Sequence, residues 1–146
     1  METNITTETI AGGVTKTTHV NDGIVVLSVQ DSHRQSIDTW VVTVEELVKT
    51  WPEDQPYKVI HDASKVFFSP YFRRQAEYIA NRTVEIRGED YQINIAIVLA
   101  DNPTSHILRL FLRRFLRPSY VAWRMEMFNQ VEAALLWMRS LDNASE

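Results

Sequence analysis

Residues 93–118 read INIAIVLADNPTSHILRLFLRRFLRP, and this stretch decides the fold. Residues 93–100 are almost continuously apolar, as is typical of a strand that is covered on both faces. Asn102 then supplies a helix cap, Pro103 is tolerated at the first helical position, and Pro118 ends the helix. A buried strand that leads directly into an amphipathic helix predicts one unit of a parallel sheet.

Strand and helix patterns alternate along the rest of the chain. Asn21-Asp22-Gly23 favours a tight turn between two strands, because these residues tolerate positive φ. Strand-like runs occupy residues 14–20, 24–27, 57–61, 93–100 and 120–128. Apolar residues at helical spacing occupy residues 36–51, 69–88, 103–117 and 129–141. The order β-β-α-β-α-β-α-β-α predicts an α/β domain with a single mixed, largely parallel β-sheet and right-handed crossovers.

The chain is predicted to form one domain, since its 146 residues match the usual size of one. Residues 1–13 are rich in threonine and are expected to form a flexible N-terminal tail. Residues 14–141 would form the α/β domain, and residues 142–146 a flexible C-terminus. No signal peptide and no apolar run of about 18 residues is visible, so we expect a soluble, cytoplasmic protein without a transmembrane segment.

Composition and motifs argue against several functional classes. The formal net charge of −4 disfavours nucleic-acid binding, which needs a basic surface. No cysteine is present, so disulfides, thiolate metal sites and cysteine nucleophiles are excluded. The four glycines form no phosphate-binding pattern, no G-x-S-x-G occurs, and the four histidines form no H-x-H or H-E-x-x-H pair. We therefore expect no enzymatic activity, no cofactor and no metal site.

Two local segments carry a resemblance to a known family. Residues 60–68 read IHDASKVFF, and residues 132–137 of the last helix read EAALLW. Together with the order of the predicted elements, these segments resemble the STAS domain of bacterial anti-sigma-factor antagonists and of the cytoplasmic tails of sulfate transporters. The resemblance covers residues 14–141. It implies a STAS-like fold and a regulatory role.

The sequence departs from the antagonists at their phosphorylated serine. Their loop ends in Met-Asp-Ser-Ser/Thr-Gly, and the first serine of this run accepts phosphate. The matching run here is Ser69-Pro70-Tyr71-Phe72-Arg73, which places Tyr71 at the acceptor position. The chain therefore resembles the uncharacterised bacterial branch that lacks the phosphoserine motif, and a serine phosphoswitch at Ser69 or Ser64 is a weaker alternative.

The loop before the second helix is one candidate binding site. It comprises Asp62, Ser64, Ser69, Tyr71, Phe72 and Arg73. A helix N-terminus presents free N–H groups and a partial positive charge, so Ser69 and Arg73 would hold an anion. The simpler interpretation is that Ser69 caps the helix while Arg73 is solvated. Because aromatic residues flank the loop, a carrier of a small apolar ligand, such as a lipid or an acyl chain, is an alternative function.

The helix after Pro103 is the second candidate site. It presents a narrow basic stripe, formed by Arg109, Arg113 and Arg117. Beside this stripe lie Leu112 and Leu116, which are additional to the apolar side that a helix needs for packing on one sheet. One interpretation is a helix wedged between the sheet and a neighbouring helix. The other is an exposed apolar patch rimmed by arginine, which is typical of a protein-partner or homodimer interface. A peripheral membrane contact is a lesser option.

These patterns favour a non-catalytic regulatory or interaction module. We predict that it binds a protein partner, or a second copy of itself, through the arginine-bearing helix and the loop at Ser69.

Overall fold

A single mixed β-sheet forms the centre of the structure, a computed structural model that describes residues 4–10, 12–115 and 123–144. Its six strands are β1 (Ile5–Ile10), β2 (Val14–His19), β3 (Ile24–Val29), β4 (Tyr57–Asp62), β5 (Ile93–Val98) and β6 (Trp123–Phe128). They lie in the order β1-β2-β3-β4-β5-β6. The first three pair antiparallel, and β3 to β6 pair parallel. The predicted α/β fold with a mixed, largely parallel sheet is confirmed.

Within the described residues, four helices pack on the two faces of this sheet. They are α1 (Arg34–Thr50), α2 (Pro70–Arg87), α3 (Pro103–Phe115) and α4 (Val131–Ala144). Because the parallel strands follow one another in order, right-handed crossovers between them place α1, α2 and α3 on the same face. Side chains of these three helices share one apolar core with the sheet, and α4 shares a second core with the opposite face.

The larger core follows the amphipathic stripe that the sequence predicts for α1. The buried residues of that helix are Ser36, Ile37, Trp40, Val41, Val44, Leu47 and Val48. Strand alternation supplies the facing layer, since Tyr57, Val59 and His61 of β4 point to this side and Ile60 points to the α4 side. The two faces of the sheet are therefore both buried at β4, as a near-continuous apolar strand requires.

The N-terminal segment corrects the prediction of a flexible tail. Ile5–Ile10 forms β1 and pairs with β2 along its whole length, with threonine opposite threonine at Thr6↔Thr18 and Thr7↔Thr17. Threonine favours strands because it is β-branched. The strand is exposed along almost all of its length, so it has no apolar alternation for the sequence to display.

The turn between β1 and β2 packs against α1 through glycine. Gly13 has a φ of +86°, and a Cβ built on it would lie 2.4 Å from the Ser36 hydroxyl oxygen. We expect Gly13→Ala to lower the free energy of unfolding by about 1–2 kcal/mol from backbone strain, and by more from the clash. Gly23→Ala is the matched control, because Gly23 has a φ of +65° with open space around its Cβ position. Equal losses in urea denaturation would contradict the proposed contact.

The C-terminal boundary also differs from the prediction. Residues 142–146 were expected to form a flexible end, but α4 continues to Ala144. Asp142 forms an ion pair with Lys58, a buried residue of β4 on the α4 face. The helix is extended past residue 141 because its last turn supplies the counter-charge that a buried lysine needs.

Candidate functional site

The loop between β4 and α2 lies at the carboxyl edge of the parallel strands. Ligands of open α/β sheets bind at this edge, outside the ends of the strands. The loop and the first turns of α3 enclose a crevice of about 200 Å³. Its lining residues are Ser64, Lys65, Val66, Phe67, Phe68, Ala100, Asn102, Thr104, Ser105 and Leu108. The fold therefore brings the two predicted sites, the loop and the arginine-bearing helix, next to each other.

Both serines of the loop have local structural partners. Asp62 Oδ1 accepts hydrogen bonds from the backbone N–H of Ser64 at 3.1 Å and from the Ser64 hydroxyl at 2.7 Å, which closes a turn after β4. Ser69 Oγ accepts from the backbone N–H of Phe72 at 3.1 Å. The interpretation of Ser69 as the helix cap is confirmed.

Tyr71 and Phe72 attach α2 to α1. The Tyr71 hydroxyl donates a hydrogen bond to Asp38, and the Arg34 guanidinium lies 4.3 Å from the centre of the Tyr71 ring. The hydrogen bond to Asp38 raises the pKa of Tyr71. Phe72 is buried and stacks on Trp40 with ring centres 5.7 Å apart. Phe72 is thus a core residue, so it is not available at the surface as the loop site required.

α3 buries a different set of leucines from the one predicted as an exposed patch. Leu112 is 3% exposed and packs with Leu108 in the larger core. The prediction that Leu112 is exposed is therefore wrong, because i and i+4 positions point to the same side and Leu108 faces the sheet. Leu116 and Arg117, which were predicted with it, lie outside the described residues. At this position the helix is wedged into the core, as the alternative interpretation held.

The outer side of α3 nevertheless carries large apolar side chains. Ile107 is 62% exposed and Leu110 69%, and Phe67 of the loop between β4 and α2 is 75% exposed. Phe67 lines the crevice together with Thr104, which lies one turn before Ile107 on the same side of the helix. Arg113 is exposed and Arg109 is half-buried. We call Phe67, Ile107, Leu110, Arg109 and Arg113 the α3 surface.

Charge around the α3 surface is positive. α3 contains no Asp or Glu, although the chain as a whole carries a formal net charge of −4. Asp101, just before the helix, lies 3.5 Å from the His106 ring. Arg73 of α2 is paired with Glu77 at 3.2 Å, and its guanidinium lies 5.0 Å from the centre of the Phe111 ring. Arg73 therefore joins α2 to α3 at the edge of this surface.

A separate apolar cavity of about 70 Å³ lies inside the larger core, between the sheet and the helices. Its lining is almost entirely apolar and includes Val29, Trp40, Val44, Tyr57, His61, Ala63, Phe72, Ala76, Ile79, Ala80, Thr83, Ile95, Ile97, Leu99, Leu112 and Trp123. Trp40 Nε1 donates a hydrogen bond to His61 Nδ1 at 3.0 Å. Burial lowers the pKa of His61 from 6.5 to about 4, so its imidazole is neutral at pH 7.

The buried His61 predicts a loss of stability in mild acid. Its folded-state pKa of about 4 lies below the ordinary 6.5, so the unfolded chain binds the proton first. Stability is complete above pH 6.5 and declines as the pH falls towards 4; at pH 5 the loss is about 2 kcal/mol. Urea denaturation of the wild type and of His61→Phe at pH 7 and 5 measures it. His19, whose pKa burial also lowers, leaves a smaller dependence in the variant. An unchanged pH dependence in His61→Phe would contradict this assignment.

The His61–Trp40 pair was not predicted from the sequence. Strand alternation places His61 on the inner face of β4, and helical spacing places Trp40 on the inner face of α1. These periods show that both side chains point inward. They do not show that the connection from α1 to β4 brings Trp40 into contact with His61.

Comparison with models of protein families, with curated proteins and with solved structures finds no match to this chain. In the part of the chain that the structure describes, no helix is long and apolar enough to span a membrane. The same residues contain no group of three His, Asp or Glu side chains arranged to hold a metal ion.

Proposed function

We propose that this chain is a non-catalytic interaction domain that binds an acidic protein partner through the α3 surface. The observation that carries the proposal is the exposure of Phe67, Ile107 and Leu110 beside Arg109 and Arg113. Large apolar residues that share one side of a molecule with arginine are typical of protein interfaces, whereas single exposed apolar residues are ordinary.

The apolar residues of the α3 surface supply the affinity in this proposal. A side chain of this size contributes roughly 1.5–3 kcal/mol when it is fully removed from water. Three of them exceed the side-chain ordering that docking costs, about 0.5–1.5 kcal/mol for each immobilised side chain. Phe67, Ile107 and Leu110 would form the centre of a small interface, and Arg109 and Arg113 its rim.

Charge favours a different protein over a second copy of this chain. In a twofold dimer through α3, the same patch of each copy meets the other, so Arg109 and Arg113 of both copies would approach one another. Like charges in an interface are repulsive. A partner that presents Asp or Glu around an apolar centre avoids this repulsion and gains speed of association from the opposite charges.

We also propose that the chain is a STAS-like regulatory domain that works in the cytoplasm. The order of the elements and the position of the loop after β4 at the carboxyl edge of the sheet support the STAS-like fold in this proposal. A phosphate on Ser64 would remove the hydroxyl proton that is donated to Asp62, so the weaker phosphoswitch alternative would work by opening that turn.

The test compares one double aspartate variant on the α3 surface with one single aspartate variant elsewhere, both made in the full chain. Ile107→Asp combined with Leu110→Asp places two carboxylates on the α3 surface. We expect at least a tenfold loss of partner recovery in quantitative affinity purification from the cells of origin, since each buried apolar anchor is worth about tenfold or more. Leu136→Asp is the matched control, because Leu136 is equally exposed but lies on α4 at the opposite face.

Three outcomes would contradict the proposal. One is equal recovery of the same partners by the wild type and by the α3 variant. Another is association that is insensitive to salt, because an acidic partner should bind more weakly as salt screens the arginines. The third is that the α3 surface has another occupant. Dimerisation of the purified wild type that the α3 variant abolishes would assign the surface to a second copy, and vesicle binding that it abolishes would assign it to an anionic membrane.

A further inference from the structure

The strand β1 forms one edge of the sheet, and its outer side has no partner among the described residues. β2 is its neighbour in the strand order. The Val20 N–H donates to the Asn4 carbonyl at 3.0 Å, and bonded pairs alternate along an antiparallel ladder, so the even-numbered residues of β1 bond to β2. The backbone N–H and C=O groups of Ile5, Thr7 and Thr9 therefore point away from the sheet.

β1 lacks most of the features that protect sheet edges from pairing with other chains. Edge strands are commonly very short, or carry proline, a bulge or several charges. β1 has six residues without proline, its register with β2 is unbroken from Ile5 to Ile10, and Glu8 is its only charged side chain. A row of outward N–H and C=O groups is complemented by the backbone of another extended segment, since a helix uses its own backbone groups internally.

A groove beside β1 offers space for the side chains of an added strand. The groove is open, measures about 540 Å³ and lies between Ile10 and the outer side of α1, where Val42 is 66% exposed. Thr6, Glu8 and Ile10 face this side of the sheet, because Ile10 lies opposite Val14, a residue of the larger core. An added strand would therefore direct every second side chain towards Glu8, Ile10 and the groove.

Charge and symmetry favour a segment of another protein over a second copy of this chain. Twofold antiparallel pairing of two β1 strands joins residues of the same face, so the registers with the greatest overlap are centred on Thr7 or on Glu8. The two Glu8 carboxylates are then diagonal neighbours or directly opposite, where like charges are destabilising. Glu8 is 58% exposed and its ion pair with Lys16 is long, at 3.7 Å, so its carboxylate is accessible to a second cation.

We propose that β1 and the groove beside α1 bind an extended segment of a protein partner, which adds to the edge of the sheet antiparallel to β1. Antiparallel pairing is the more stable arrangement. The segment carries an apolar side chain opposite Ile10 and, two residues later, a lysine or arginine opposite Glu8. This site is independent of the α3 surface, because β1 and β6 are opposite edges of the sheet and α3 leads into β6.

A six-residue probe tests the pairing directly. The peptide ITKTTT, acetylated and amidated, spans β1 from Ile10 to Ile5 in antiparallel orientation and places its lysine opposite Glu8. In NMR titrations of the full chain with up to about 10 mM peptide, we expect saturable shifts that are larger for the outward amides of Ile5, Thr7 and Thr9 than for the inward ones. The matched peptide ITETTT should bind up to about fivefold more weakly, and Glu8→Lys should reverse this preference.

Two pairs of variants separate the backbone edge from the groove. Thr7→Pro removes an outward N–H but no hydrogen bond to β2, and proline is tolerated in edge strands. It should weaken the binding of ITKTTT at least tenfold, whereas Thr7→Val keeps the N–H and should change it less than threefold. If Thr7→Pro does not fold, Val42→Asp decides: it should weaken binding about fivefold or more, and Leu136→Asp, equally exposed on α4, should bind like the wild type.

Four results would overturn the proposal. They are the absence of a saturable shift with ITKTTT, equal binding of ITKTTT and ITETTT, wild-type binding by both Thr7→Pro and Val42→Asp, and concentration-dependent dimerisation of the wild type that Thr7→Pro abolishes. The last would assign the edge to a second copy. The variant with Ile107→Asp and Leu110→Asp should bind the probe like the wild type, so a failure at β1 is distinguishable from a failure at the α3 surface.

Discussion

Leu112→Asp is expected to unfold the domain, or to lower its free energy of unfolding by about 4 kcal/mol or more. Leu112 is 3% exposed and belongs to the larger core. The substitution removes apolar contacts and places a carboxylate where no described cation pairs with it, and each of these changes alone costs several kcal/mol. Since most single domains are stable by about 5–15 kcal/mol, such a loss removes much of the margin.

Ile107→Asp is the matched control for this prediction, because it makes a similar change on the same helix. Ile107 is 62% exposed, so its carboxylate stays in water, and we expect a loss of about 1 kcal/mol or less, mainly from helix propensity. Urea denaturation followed by circular dichroism measures both values. If Ile107→Asp destabilised as strongly as Leu112→Asp, the orientation of α3 described above would be wrong.

The difference between these two residues explains what the sequence of α3 was unable to decide. Periodicity locates a helix and the side that is richest in apolar residues. α3 has apolar residues almost all round, so several orientations bury enough of them, and Leu112 and Ile107 were equally eligible for the core. The choice between them depends on the sheet and on α2, whose Phe68-bearing loop contacts Phe111 with ring centres 5.1 Å apart.

The fold was predictable wherever one element has one buried face. α1, with Trp40 and Val44 on its inner stripe, and β5, with its unbroken apolar run, agree with their patterns. β1 was missed because it is exposed along almost all of its length, so its sequence shows no alternation of apolar and polar residues. It is held by pairing with β2 and does not pack on the core. Cap signals also transferred directly, as at Ser69 and Asn102, since a cap is a contact within three residues.

In the candidate sites too, features that depend on neighbouring residues were predictable, and contacts between residues far apart in the sequence were not. The loop after β4 lies at the carboxyl edge of the parallel strands, a position that follows from strand direction alone. The pairing of His61 with Trp40 joins residues 21 positions apart through a crossover, and no local rule predicts it. Lys58 and Asp142 are 84 positions apart, and in the sequence each resembles an ordinary surface charge.

Asp142→Ala is expected to destabilise the domain by about 3 kcal/mol, although it lies in the last turn of the last helix. Lys58 is 3% exposed, and Asp142 is its ion-pair partner. Removing one partner of a buried pair costs about 3–5 kcal/mol, because the other charge is left buried without compensation. We place the loss at the lower end because Asn94, opposite Lys58 in the sheet, has an Oδ1 without another described partner that can accept from the ammonium group.

A double variant distinguishes two alternative causes of this loss: Asp142 stabilises α4 by itself, or its removal leaves the buried Lys58 ammonium without a counter-charge. Lys58→Met removes the buried charge and leaves Asp142, whose side chain is 55% exposed, in water, so we expect a change within about 1 kcal/mol. Asp142→Ala in the Lys58→Met background should then cost less than about 1 kcal/mol, which gives a coupling free energy of about 2 kcal/mol or more in a double-mutant cycle. Additive losses would mean that Asp142 stabilises α4 by itself. Strong coupling would mean that β4 carries a buried charge that the last turn of α4 neutralises, so the packing of α4 on the sheet depends on that turn for its stability.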